Sequence, residues 1–130
     1  MRKLFFVGAL LIPVFVVVCA QNPAAIKESA GSAMEQERYA DAIEYFRDYL
    51  EVTGNRSAVA LDLVEAYYYR GFFTEASEEL FFLREQFEKP PFKVLWWEAK
   101  VLQAQNRFSK AAEQYKKYWQ FADRDELRAI

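Results

Sequence analysis

The chain has 130 residues, with 17 Lys and Arg against 19 Asp and Glu, no histidine and a single cysteine, Cys19. The lack of histidine excludes His-based catalytic triads and the usual zinc sites, and one cysteine cannot build a disulfide framework. No basic stripe is available to displace counterions from phosphates, which argues against nucleic acid as a partner. Aromatic residues make up 18% of the chain, and their spacing is where its organisation shows.

In chain order, the first element is apolar. After Met1, Arg2 and Lys3 no charge appears until Lys27, and residues 4–20 read LFFVGALLIPVFVVVCA. A short basic start, an apolar stretch of this length and a small-residue exit are the parts of a secretory signal. We therefore set residues 1–20 apart and take 21–130 as the folded domain. Three fates of the segment stay open. Cleavage ahead of Gln21, with Val18 and Ala20 at the third and first positions before the cut, would release a soluble chain without Cys19. VVVC instead resembles a bacterial lipoprotein signal, in which Cys19 would be acylated, although Val18 stands where that signal has a small residue. An uncleaved segment would be a membrane anchor near the lower length that spans a bilayer. Each fate places the domain outside the cytoplasm, periplasmic or anchored facing that side, and confines membrane contact to the N-terminus. Without Arg2 and Lys3 the balance is 15 basic residues against 19 acidic ones.

The domain repeats. ERYADAIEYF at 37–46, GFFTEASEEL at 71–80 and NRFSKAAEQY at 106–115 share an aromatic, an alanine three residues later and a large apolar residue four beyond. The alanines are Ala42, Ala76 and Ala111, spaced by 34 and 35 residues. Tyr39, Ala42, Ile43, Phe46, Tyr49 and Leu50 step by three and four, the mark of one helix face, and Phe73, Ala76, Leu80 and Leu83 match Phe108, Ala111, Tyr115 and Tyr118. A second helix is predicted before each, over 23–35, 57–70 and 92–105. Gly54 and Asn55 break the chain before Ser57, the expected N-cap of the next helix. Pro90 and Pro91 stop another helix, and Gly71 and Asn106 mark tight turns. Asp123 is placed to cap a short last helix within 122–130, which would close the array or begin a further repeat.

A helix-turn-helix unit of this period, with Leu63, Tyr67, Gly71, Phe73, Ala76 and Leu80 at its key places, resembles the tetratricopeptide repeat. The resemblance spans nearly all of 21–130. It implies an all-α fold, a right-handed solenoid of about three helix pairs at 23–56, 57–91 and 92–125. Val64 stands where the motif has a small residue, and Gly54 and Glu88 stand where it has a closing proline.

The family lines its concave surface with the first helix of each pair. Carried across, this implies a partner-binding set of Leu61, Glu65, Tyr68, Tyr69, Lys93, Trp96, Lys100 and Gln103, joined by Asp62 and Trp97 and less directly by Lys27 and Met34. Adjacent aromatics on one helix cannot all face one core, so Tyr68, Tyr69, Trp96 and Trp97 should include exposed members, unless they seal gaps between successive pairs. Lys27 and Lys93 also match two places of a clamp with which some members hold a C-terminal carboxylate, whereas Gly31, Asp62 and Trp97 depart from it. The functional expectation is a non-enzymatic interaction module that binds a protein or peptide segment and uses no cofactor or metal. A self-associating structural protein and a small-molecule or lipid carrier are the alternatives.

Overall fold

The computed structural model describes residues 22–121. The segment 1–21, which holds Cys19, and the expected short helix within 122–130 lie outside the described residues. Six α-helices and no strand are found among those described: α1 Pro23–Glu35, α2 Tyr39–Thr53, α3 Ala60–Tyr69, α4 Phe73–Gln86, α5 Phe92–Ala104 and α6 Phe108–Phe121. None of them is long and apolar enough to cross a membrane.

Local chemistry sets the helix ends. Asn22 accepts a hydrogen bond from the Ala24 amide at 3.1 Å, and Pro23 sits at the first helical position, where its missing N–H costs nothing. Gly54 ends α2 at φ 63°, its amide donating to the Leu50 carbonyl at 2.8 Å. The chain reverses in the same way between α1 and α2, α3 and α4, and α5 and α6. Glu37, Gly71 and Asn106 all take left-handed φ, at 58°, 75° and 60°. The next amide then donates five residues back, from Arg38 to Ala33, Phe72 to Tyr67 and Arg107 to Leu102, at 2.8, 2.8 and 2.9 Å. This Schellman closure satisfies carbonyls that a helix end leaves orphaned.

One expected start is corrected. Ser57 does not cap α3; it lies inside a 3-10 turn at Arg56–Ala58, and α3 begins at Ala60 after Val59, which makes no side-chain cap. The turn is held by tertiary contacts. Arg56 donates to both carboxylate oxygens of Glu79 on α4 at 3.0 and 3.1 Å, and its guanidinium lies 4.3 Å from the Phe82 ring centroid.

Each helix packs on its neighbours in sequence, and α3 also meets α5. Ala30, Val64 and Ala99 of the first helices and Ala42, Ala76 and Ala111 of the second are buried, so backbones approach closely at each crossing. Ile26, Phe46, Leu63, Leu80 and Val94 fill the spaces between in one continuous core. A second, smaller cluster joins α5 to α6 through Leu95 and Tyr118, with Phe92 and Trp96 against them.

Candidate functional site

The first helices of the three hairpins, α1, α3 and α5, share a face with two adjoining hollows. One, of about 410 Å³, is lined from α1 by Lys27, Gly31, Met34 and Glu35 and from α3 by Asp62 and Glu65. The other, of about 310 Å³, has Leu61, Asp62 and Glu65 on the α3 side and Lys93, Trp96 and Trp97 on the α5 side. Asp62 and Glu65 thus form the ridge between them. Of the residues expected from the sequence, Leu61, Glu65, Lys93 and Trp96 come together here, and Lys27 and Met34 face them across the ridge.

Tyr68, Tyr69, Lys100 and Gln103 lie further along the same helices and build a wall beside the hollows. Tyr69 is half exposed and stacks on Tyr39 of α2 at 4.8 Å between centroids. Tyr68 meets Trp97 edge-on at 5.4 Å and Phe73 at 5.8 Å. The Lys100 ammonium sits among three rings, 5.0 Å from Tyr68, 5.3 Å from Trp97 and 5.7 Å from Trp96. Gln103 accepts a hydrogen bond from the Tyr115 hydroxyl at 3.0 Å. These aromatics therefore do both things considered from the sequence: they seal one hairpin to the next and leave edges in the groove. Trp96 packs toward α6, with Tyr118 at 5.3 Å and Tyr115 at 5.5 Å between ring centroids.

The groove is electrostatically unfinished. Among the described residues the ion pairs are Arg38–Asp41, Arg56–Glu79, Arg84–Glu98 and Lys117–Glu113, and none lies in it. Burial pushes the Asp62 carboxyl above its ordinary range, against the attraction of Lys27 and Lys93. Burial and the neighbouring Asp62 push Glu65 the same way, against Lys100 and Lys93. Desolvation outweighs the lysines because they stand near the carboxylates without closing onto them. Asp62 also lies under the influence of both lysines of the supposed carboxylate clamp, where it would repel a C-terminal carboxylate.

Glu35, Phe46, Phe92 and Tyr118 also line the hollows and were not expected there. Glu35 directly follows Met34 on α1, whereas Phe46 and Tyr118 belong to second helices and reach the site through tertiary packing alone. A larger cavity, of about 740 Å³, lies elsewhere, where residues 87–92 pass Leu95, Lys117 and Phe121. Comparison with protein-family models, with curated proteins and with solved structures gave no match.

Proposed function

We propose that the three hairpins are tetratricopeptide-type units stacked as a right-handed solenoid, and that the chain is a non-enzymatic, exported interaction module. The groove across α1, α3 and α5 takes a protein segment. One observation carries this reading: Asp62, Glu65, Lys27 and Lys93 converge on adjoining hollows, with Lys100 in the wall beside them, yet among the described residues none of these charges pairs with another. Charges left unpaired beside aromatic edges are suited to a partner's polar backbone and charged side chains, with the rings supplying apolar contact. The lack of histidine anywhere in the chain and the place of Cys19 in the leader support a binding role over a catalytic one.

The test is a photoreactive amino acid at position 93, exposed in the groove, and at position 47, exposed on α2. In the native cell, position 93 should crosslink one protein reproducibly, position 47 should not, and Asp62→Lys should reduce that capture at least tenfold while helical circular dichroism is retained. Equal capture from both positions, or capture indifferent to Asp62→Lys, would overturn the groove assignment.

A further inference from the structure

We propose that the segment taken by the groove is extended and carries a basic and an acidic residue on opposite sides, the Lys or Arg seated on Glu65 of α3 and the Asp or Glu seated on Lys100 of α5. This rests on the groove taking a protein segment and specifies what that segment presents. The way the molecule treats its other half-buried charges identifies the pair. Among the described residues the half-buried acidic residues are Glu65, Glu79 and Glu98. Glu79 is held by Arg56 at 3.0 and 3.1 Å and Glu98 by Arg84 at 2.9 Å. Glu65 alone bonds no cation among those described. The half-buried basic residues, Arg56, Arg84, Lys100 and Lys117, divide in the same way: three are bonded to a glutamate, Lys117 through Glu113 at 3.2 Å, and Lys100 is not. One charge of each sign is left over, and both belong to the groove and its wall.

The two leftover charges do not serve each other. Burial and Asp62 raise the Glu65 carboxyl and Lys100 draws it down, yet Lys100 makes no bond to it. The Lys100 ammonium is held instead among the rings of Tyr68, Trp96 and Trp97. Each charge has a companion of its own sign on its own helix. Asp62 lies about one turn before Glu65 and Lys93 about two turns before Lys100, so α3 offers a negative edge and α5 a positive one. An extended segment laid between these edges sends successive side chains to opposite sides. A Lys or Arg next in sequence to an Asp or Glu, or three residues from it, therefore meets Glu65 and Lys100 at once. A segment of one sign fits less well, because it satisfies one edge and is repelled by the other.

Panning a phage-displayed library of random peptides against the protein as its own cell processes it is the experiment. Wild type should enrich peptides in which a Lys or Arg stands next to, or three residues from, an Asp or Glu. Ala in place of either charge should weaken a selected peptide about tenfold. Glu65→Gln should remove the preference for the basic residue and keep that for the acidic one; Lys100→Gln should do the converse, both with helical circular dichroism retained. Enriched peptides of one sign or without charge, loss of both preferences together in either variant, or no enrichment, as when residues 122–130 already hold the two charges, would overturn the proposal. Capture of one protein from position 93 while these preferences are absent would strike this inference and leave the groove reading in place. Equal capture from positions 93 and 47 would strike the groove as well.

Discussion

Glu37, Gly71 and Asn106 hold the same backbone conformation at the same place in three hairpins, yet they are not equally suited to it. Glycine adopts left-handed φ freely and asparagine tolerates it, whereas a Glu Cβ is strained there by about 1 to 2 kcal/mol. Glycine loses more freedom on folding, which offsets part of the gain, so Glu37→Gly should stabilise the domain by up to about 1 kcal/mol in chemical denaturation. Gly71→Ala should do the reverse by a similar amount. A Cβ at Gly71 would meet nothing within 4 Å, so that loss would come from φ alone and not from a clash. Gly71 and Asn106 were legible as turns because their chemistry announces the conformation. Glu37 was not, because its φ is imposed by closure of the hairpin, with the Arg38 amide reaching the Ala33 carbonyl.

At the scale of elements, periodicity located the helices well, since stepping by three and four is what a buried helical face requires. It failed at the start of α3. Ser57 has the composition of an N-cap, but Arg56 is drawn to Glu79, 23 residues away, and winds the intervening chain into a 3-10 turn. No local pattern carries a contact of that separation. Arg56→Ala should cost about 1 to 2 kcal/mol, more than an exposed ion pair, because it removes a bidentate charge-assisted bond and a ring contact and leaves Glu79, only 12% exposed, without its partner. A denaturation midpoint equal to wild type would show that the turn holds without Arg56. The candidate site was legible to the same degree and for the same reason. Leu61, Glu65 and Lys93 follow from position on a first helix, while the commitment of Trp96 to Tyr115 and Tyr118 depends on how α6 lies and has no local signal.

For the whole molecule, the open charges of the groove tie stability to pH. The Glu65 carboxyl is raised above its ordinary 4.5, so the folded chain binds this proton more tightly than the unfolded chain does. The corresponding stability is fully present below the unfolded value and is lost as pH rises through the raised folded value. Glu65→Gln should therefore have a higher Tm than wild type at pH 7, with the difference closing as pH falls below about 4. A lower Tm at pH 7 would show that Lys93 and Lys100 compensate the carboxylate fully. A groove that costs stability while empty is the expected signature of a surface shaped for a partner and not for the free fold.

The clasp between Arg56 and Glu79 has no counterpart one hairpin later. In the same register Pro91 replaces Arg56 and Gln114 replaces Glu79, and the buried Gln114 Oε1 finds no donor among the described residues. The 740 Å³ cavity opens beside this place, bounded by Pro91, Lys117 and Phe121. Hydrogen exchange should register the difference as a step along the chain: amides of α5 and α6 open at lower free energy than those of α1 to α4, as a separate cooperative unit. The last hairpin is thereby the part of the molecule that can loosen first without dissolving the rest.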